Sequence, residues 1–198
     1  MRPATKGPKT NAMRVLDAHH IAYEAHYYSP EVHSADEVAR IVGAAPTHVF
    51  KTLVVLPESG SDRPLLVMVP ANAELDLKLL GQQPGVGEKR LRMATQREAE
   101  SLTGLLVGGI SPLALLQKGF RVFIDGSVLQ LDRVYVSGGQ RGVNLSLAAP
   151  DLLKVTRALP VAAASPLSVK TWVYAARPNL LLEFETWILI VWSSYNRR

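Results

Sequence analysis

Short apolar runs separated by turn-forming segments recur along the chain and predict a β-sheet. Residues 49–56 (VFKTLVVL) and 64–70 (PLLVMVP) are two such runs. The segment between them, PESGSDR, is rich in turn residues, so the pair is predicted to form a hairpin. The other predicted strands are YEAHYY at 23–28, RVFID at 121–125, RVYVSGG at 133–139 and VNLSLA at 143–148.

Helical patterns with recognisable start and stop signals lie between these runs. Thr10 is placed to cap a first helix that ends at about His19. In SADEVARIVG, Ser34 and Glu37 have the spacing of a capping box, and Gly43 stands where a helix ends. Further helices are predicted for AELDLKLLG at 73–81, for TQREAESLTG at 95–104, with Thr95 and Glu98 as a second capping box, and for APDLLKVTRAL at 149–159.

Strands and helices mix without strict βαβ alternation, and the sequence has no internal repeat and no heptads. We therefore predict an α/β or α+β fold around a mixed, partly closed, barrel-like sheet. Residues 1–9, with Pro, Gly and Lys, read as a flexible leader, and residues 10–160 as the domain itself.

Residues 161–198 differ in character and are predicted to form a linker followed by an apolar extension. The run at 180–192 contains two tryptophans but also two glutamates, and it is too short to span a bilayer. An added strand, or a segment that docks on the body or on a second subunit, fits this composition better. No catalytic role is assigned to it.

Composition narrows the chemistry that is available. The chain has 198 residues, of which 47% are hydrophobic and 20% charged, as in an ordinary globular protein. It has no cysteine, which excludes disulfides, thiolate metal sites and a protein thiol nucleophile. The basic N-terminus lacks the apolar run of a secretory signal, so a cytoplasmic protein without a membrane anchor is expected. A net charge of +5 is compatible with a polyanionic partner.

Lys51 is the unusual residue of the predicted strand 49–56, because alternation puts it on the same face as Leu53 and Val55. An unpaired ammonium among apolar side chains is costly. Three interpretations are open: the lysine reaches water along its apolar stem, it pairs with a buried carboxylate, or it lines a ligand cavity.

Several common catalytic sites find no support. No histidine pair has the helical i, i+4 spacing of a zinc motif, and the chain has no G-x-S-x-G nucleophile elbow. Neither a metal nor another cofactor is therefore expected. The histidines all lie in the first quarter of the chain, at His19, His20, His26, His33 and His48.

Two glycine-containing segments are more informative. VGGISP places Gly108 and Gly109 in one loop, and VSGGQRG places Gly138 and Gly139 in another at the end of a predicted strand. Neither has the spacing of a Walker or dinucleotide-binding loop. Both are compatible with tight turns, and both also permit close backbone approach to a ligand and exposed N–H groups for an oxyanion or phosphate.

The motifs VFKTLVV, LVGGISPL and VYVSGGQRG, in this order and at these separations, resemble those of the YbaK/ProX family of aminoacyl-tRNA-editing domains. The resemblance covers about residues 10–160 and is strongest to the YbaK branch of Cys-tRNA(Pro) deacylases. It implies an α/β fold whose mixed, barrel-like sheet encloses a small pocket. It also implies hydrolysis of the ester between a wrong amino acid and the terminal ribose of tRNA.

The resemblance also implies a set of site residues. The catalytic candidates are Lys51, Ser137 and Tyr28, with the adjacent Tyr27 as an alternative match for the tyrosine. Asn144 stands where close relatives have an acidic residue, so it cannot act as a general base. The substrate-binding candidates are Thr52, Gly108, Gly109, Ile110, Ser111, Gly138, Gly139 and Asn144.

In the mechanism that the resemblance implies, the thiol of a cysteinyl substrate attacks its own carbonyl, while the protein positions the substrate and stabilises charge. Lys51 would contact the terminal phosphate–ribose region or the developing oxyanion, and Ser137 and Tyr28 would orient the ribose or the amino acid. The aminoacylated 3′ end of tRNA is the expected partner, with prolyl-tRNA synthetase to identify the tRNA. The sequence leaves monomer and dimer equally open.

Other functions remain open at the level of sequence. The same groups could position a water against Ala-tRNA(Pro). A noncatalytic module that holds an aminoacyl-RNA end, and a structural domain that acts through its apolar extension, are further alternatives.

Overall fold

The computed structural model describes residues 9–32, 34–59 and 64–166. Most of the predicted leader, His33, part of the hairpin turn and the apolar run at 180–192 lie outside these residues. No helix of the described part combines the length and the apolar character that crossing a membrane requires.

A mixed β-sheet forms the centre of the fold, as the sequence predicts. The strands of the described part are β1 (Tyr23–Tyr27), β2 (Val49–Pro57), β3 (Leu65–Pro70), β4 (Ala73–Leu75), β5 (Leu91–Met93), β6 (Arg121–Asp125), β7 (Arg133–Ser137), β8 (Val143–Ala148), β9 (Leu159–Val161) and β10 (Ala164–Pro166). The central sheet has the order β1-β8-β7-β2-β3-β6-β9, with β5 paired to β2 off this path, while β4 and β10 pair as a separate two-stranded sheet. Strand β2 is antiparallel to β3 and parallel to β7. In the described part, β1 and β9 end the pairing order and do not pair with each other.

Within residues 9–166, as far as the structure describes them, five α-helices and three 3-10 helices surround the sheet. The 3-10 helices are Pro46–His48, Pro112–Lys118 and Gly126–Gln130. The α-helices are α1 (Asn11–Ala18), α2 (Ala35–Val42), α3 (Leu77–Gly81), α4 (Gln96–Thr103) and α5 (Ala149–Thr156).

The core lies on both faces of the sheet. Phe50 and Phe123, which are almost completely buried, belong to different clusters. The cluster that contains Phe50 also takes residues from α1 and α5, so these two helices cover that face. On the other side, Val49 packs against Val38 of α2. Helix α2 is thereby held over the sheet at the start of β2.

The helix caps agree with the sequence at two positions and disagree at one. Thr10 accepts a hydrogen bond from the Met13 N–H, and Thr95 and Glu98 form both bonds of a capping box. The capping box predicted at Ser34 is wrong, since its side chain makes no cap hydrogen bond in the described structure. Gly43 ends α2 in the left-handed conformation, as predicted.

Two segments differ from their predicted structure. Residues 73–81 were predicted as one helix, but Ala73–Leu75 is a strand, and the helix starts after Asp76, whose carboxylate accepts from the Leu79 N–H. Residues 161–166 were assigned to the start of a linker, yet Val161 pairs with β6 and β10 pairs with β4. Edge strands of three residues are too short to show alternation in the sequence.

Candidate functional site

The sheet register brings three of the candidate residues together. Val136 pairs with Phe50 between the parallel strands β7 and β2, so the next step along both strands sets Ser137 beside Lys51. Ser137 pairs with Asn144 across the antiparallel strands β7 and β8. Directly opposed residues point to the same face of a sheet. Lys51, Ser137 and Asn144 therefore form a row across three adjacent strands.

A cavity of about 190 Å³ lies over this row. Helix α2 supplies Ala35 and Val38 to its wall, and the first glycine loop supplies Val107, Gly108 and Ile110. Sequence patterns do not assign the α2 residues to a site, because an apolar helix stripe looks the same whether it covers a core or a cavity. The remaining lining residues are Tyr28, Val32, Val49, Phe50, Lys51, Thr52, Leu53, Ser137 and Asn144.

Lys51 is half-buried, and its ammonium donates a hydrogen bond to the carbonyl oxygen of Ala71 at 3.2 Å. Burial lowers its pKa, and the carboxylates of Asp36 and Glu74 act in the opposite direction. Within the described residues the ammonium has no salt bridge at 4 Å or less. The charge thus remains available to an anionic group in the cavity.

Ser137 and Tyr28, which both carry a hydroxyl group, also line this cavity. The Ser137 Oγ accepts a hydrogen bond from the Gly139 N–H at 3.3 Å, which holds the side chain at the end of β7. Tyr28 directly follows β1, and its N–H donates to the Gly142 carbonyl at 2.9 Å. Burial raises the pKa of the Tyr28 hydroxyl, although the nearby Asn144 amide opposes this shift. Tyr27, the alternative match, is not among the lining residues.

Two buried polar atoms in the cavity wall have no hydrogen-bond partner among the described residues. They are the Thr52 Oγ1 and the Asn144 Oδ1, and Asn144 is only 4% exposed. An unpaired buried acceptor costs about 1–3 kcal/mol. A ligand or water that donates to these atoms would remove that cost.

The glycine loops divide into residues that line the cavity and residues that build it. Gly108 and Ile110 line it, whereas Gly109, Ser111, Gly138 and Gly139 do not. A Cβ at Gly109 would lie 2.8 Å from the backbone nitrogen of Arg141, and one at Gly138 would lie 2.6 Å from Val143 Cγ1. Gly109 therefore allows the two loops to pack closely together, and Gly138 allows the tight turn between β7 and β8. Ser111 is fully buried.

Arg141 braces the first loop against the second and was not predicted as a site residue. Its Nε donates to the Val107 carbonyl at 2.6 Å, while the Val107 N–H donates to the Glu100 carboxylate at 3.1 Å. The second bond is the main cause of a lowered pKa at Glu100. Arg141 lies inside the SGGQRG motif, so the sequence could have identified it as a candidate. Its contact with Val107 could not be predicted, because the two residues are distant in sequence.

The site thus combines one ammonium, the hydroxyl groups of three residues, the Asn144 amide and the backbone of a glycine loop. No Asp or Glu is among the described lining residues, and the chain has no cysteine. Such an arrangement can stabilise a developing oxyanion and orient a small polar substrate, but it offers no carboxylate base and no thiol nucleophile.

Comparisons with known proteins agree with this reading of the fold. Residues 29–155 match the family model of the aminoacyl-tRNA editing domain. A protein of Enterococcus faecalis named "Putative Cys-tRNA(Pro)/Cys-tRNA(Cys) deacylase EbsC" is 34% identical over 150 residues, which are 75% of this chain and 88% of that protein.

Two further matches are proteins whose names refer to the charging of tRNA with proline. A proline–tRNA ligase of Shouchella clausii is 28% identical over 123 residues, which are 62% of this chain but 20% of the ligase. A solved structure described as "a putative trans-editing enzyme for prolyl tRNA synthetase" has a TM-score of 0.64 at 26% identity, and the match covers 80% of this chain and 99% of that one.

Proposed function

The chain belongs to the aminoacyl-tRNA editing domain family and is an aminoacyl-tRNA deacylase, and we propose that its substrate is tRNA(Pro) mischarged with cysteine. The name of the Enterococcus faecalis relative, which is similar over most of both chains, supports this substrate. The cavity volume of about 190 Å³ supports a small amino acid, because pockets for drug-sized ligands measure about 300–1,000 Å³.

The proposed reaction uses the substrate's own thiol. Its sulfur forms a bond to the carbonyl carbon, the ester bond to the ribose oxygen breaks, and the thiol proton is transferred to that oxygen. The products are a cyclic thiolactone, which water later opens, and deacylated tRNA. A chain without cysteine and a cavity without a described carboxylate fit a mechanism that needs no protein nucleophile.

The observation that carries the proposal is the convergence of Lys51, Ser137, Tyr28 and the first glycine loop on one cavity. In this proposal the Lys51 ammonium stabilises the negative charge that develops on the carbonyl oxygen, or it binds the phosphate–ribose group beside the ester. Ser137 and Tyr28 orient the ribose or the amino acid. The Val107 and Gly109 N–H groups donate to the Glu100 carboxylate and to the Leu106 carbonyl, so we propose that the Gly108 N–H adds to the stabilisation of the oxyanion.

The physical need for such a reaction comes from the limits of binding selectivity. A synthetase pocket that accepts proline gains only about 1–3 kcal/mol of discrimination from a methylene group. A second site that removes the wrong amino acid from the tRNA supplies the remaining discrimination. We propose that prolyl-tRNA synthetase identifies the tRNA for this enzyme, and the similarity to part of a proline–tRNA ligase supports that partnership.

A second candidate substrate is Ala-tRNA(Pro), attacked by a positioned water. The unpaired Asn144 Oδ1 favours it, because this acceptor lies in the same row as Lys51 and Ser137, which could serve as further polar partners of a bound water. Asn144 cannot take the proton of that water, so the reaction would depend on the positioning of the water and on Lys51.

A panel of mischarged tRNAs, assayed with and without prolyl-tRNA synthetase, tests the proposal. We expect Cys-tRNA(Pro) to be deacylated faster than Ala-tRNA(Pro) and Ser-tRNA(Pro), and alkylation of the cysteinyl thiol to abolish the reaction. Equal rates for cysteinyl and alanyl substrates, or cleavage of the alkylated substrate, would contradict the thiol mechanism and favour the water.

A further inference from the structure

A second and larger concave surface, here called the basic groove, lies away from the candidate active site. Its volume is about 770 Å³, and none of the glycine-loop residues lines it. It is formed by the end of α1, the end of the 3-10 helix Pro112–Lys118, the start of β6 and the last turns of α5. Its lining residues are His19, His20, Ile21, Leu115, Leu116, Phe120, Arg121, Val122, Phe123, Asp151, Lys154, Val155, Thr156, Arg157 and Leu159.

The polar lining of the basic groove is predominantly cationic. It contains Arg121, Lys154 and Arg157 against one carboxylate, Asp151. The Arg121 guanidinium is already bound to the carbonyl oxygens of Val86 and Gly85. Lys154 and Arg157 are exposed, and their side chains make no hydrogen bond or salt bridge within the described part of the chain. Two cations are thus available to a ligand.

Two residues at the rim of the basic groove have an unusual backbone conformation, which indicates that their side chains do more than pack. Arg157 ends α5 in the left-handed conformation with φ +51°, and His20 has φ +55°. Glycine usually occupies such positions because side chains are strained there. In the described residues these are the two non-glycine positions with positive φ, and both line the basic groove. A cationic side chain stands where glycine would be easier to accommodate.

Two elements connect the basic groove with the candidate active site. A Cβ at Gly139 would lie 2.9 Å from Ala114 and 3.7 Å from Ala12, so the second glycine loop packs on the beginnings of the 3-10 helix and of α1. The eight residues of α1 rise about 12 Å. The seven residues of the 3-10 helix rise about 14 Å. Both end at the basic groove.

We propose that the basic groove binds the phosphodiester backbone of the substrate tRNA, several nucleotides from the aminoacylated end in the cavity. The connecting helices rise about 12–14 Å, which is more than the length of one nucleotide, so the groove lies beyond the reach of the terminal nucleotide. The inference rests on the proposed function, which puts the 3′ end of tRNA in the cavity. Lys154 and Arg157 supply sequence-independent phosphate contacts there.

The test measures binding of fluorescently labelled, uncharged tRNA(Pro) by anisotropy between 50 and 200 mM NaCl. The groove variant is Lys154→Ala/Arg157→Gly, in which glycine also removes the left-handed strain, so its melting temperature should not fall. The matched control is Lys89→Ala/Arg90→Ala, which removes one lysine and one arginine from an exposed segment outside both cavities.

We expect the groove variant to reduce the slope of log affinity against log salt by about 2, one for each lost phosphate contact. Between 50 and 200 mM NaCl the wild type should then lose about ten-fold more affinity than the groove variant. The control should keep the wild-type slope. A groove variant with the wild-type slope, or an equal loss in both variants, would overturn the proposal.

A second measurement separates this proposal from the proposed function. Deacylation of an aminoacylated adenosine, which carries no phosphodiester, should be unchanged in the groove variant, while KM for full-length charged tRNA rises. A parallel loss with the aminoacyl-adenosine would contradict a remote phosphate contact. If the wild type deacylates no charged tRNA, the proposed function fails, and the anisotropy experiment still decides whether the groove binds RNA.

Discussion

Replacement of Lys51 by methionine separates the proposed chemical role of this residue from its structural role. Methionine keeps the length and most of the apolar stem but removes the charge. In the structure the ammonium is half-buried, bound to one carbonyl oxygen at 3.2 Å and without a salt bridge among the described residues. Burial lowers the pKa of this ammonium, because desolvation disfavours the charged form, and the carboxylates of Asp36 and Glu74 only partly oppose the shift.

The expected effects on stability and on catalysis therefore differ in size. Lys51→Met loses one hydrogen bond from an ammonium, worth about 1.5–3 kcal/mol, but regains the similar cost of burying the charge, so the net change in unfolding free energy should stay below about 1 kcal/mol. A hydrogen bond from an ammonium to an oxyanion is worth about 1.5–3 kcal/mol. Its loss in the transition state lowers kcat/KM roughly ten- to 150-fold.

The assay is deacylation of Cys-tRNA(Pro) at substrate concentrations below KM, with thermal and urea unfolding measured on the same preparations. Lys51→Arg keeps the charge and should retain more activity than Lys51→Met. Lys89→Met is the matched control, because Lys89 is exposed and lines neither cavity. It should leave kcat/KM unchanged.

Two results would refute this reasoning. A folded Lys51→Met protein with kcat/KM within two-fold of the wild type would mean that the ammonium does not act on the reacting atoms. A loss of unfolding free energy above about 3 kcal/mol would instead identify Lys51 as a structural residue whose charge the fold requires.

Two further predictions concern the structure around the site. The pKa of Glu98 is lowered from 4.5 to about 2, chiefly by Arg92 and then by Thr95, so its stabilising contribution is complete above pH 4.5 and is lost as the pH falls toward 2. In urea unfolding, Glu98→Gln should lose more unfolding free energy relative to the wild type at pH 6 than at pH 3. The control is Glu37→Gln in α2, a helix whose N-cap residue makes no side-chain hydrogen bond. A loss for Glu98→Gln that does not change with pH would contradict a contribution from the ionised carboxylate. Gly138→Ala should reduce the unfolding free energy by about 1–3 kcal/mol, because the new Cβ would lie 2.6 Å from Val143 Cγ1. Gly126→Ala, where the nearest atom is 3.7 Å away, should have a smaller effect, and equal losses in the two variants would argue against overpacking.

Features encoded by neighbours along the chain were predictable from the sequence. The alternation at 49–56 predicts β2, and the spacing of Thr95 and Glu98 predicts the cap of α4. The same spacing at Ser34 and Glu37 predicts a capping box that does not form. The three-residue spacing of Ser34 and Glu37 permits a capping box but does not require one, because the Ser34 side chain can adopt other rotamers.

The candidate site shows where local patterns stop being sufficient. The motifs that resemble an editing domain identified Lys51, Ser137 and Asn144, and family membership is confirmed. Whether their side chains share a cavity depended on the pairing of β2, β7 and β8, and no pattern within one strand specifies its neighbours. The α2 wall and the Arg141 brace were missed for the same reason.

By itself, the sequence determined the order and type of most elements, the absence of a thiol and the family. These follow from side-chain identity and from contacts a few residues apart, which the chain encodes directly. Only the tertiary structure decided which loops pack together and which residues line the cavity or the basic groove. Those features depend on register and crossing between segments that are distant in sequence, and they are selected by the packing of the whole core.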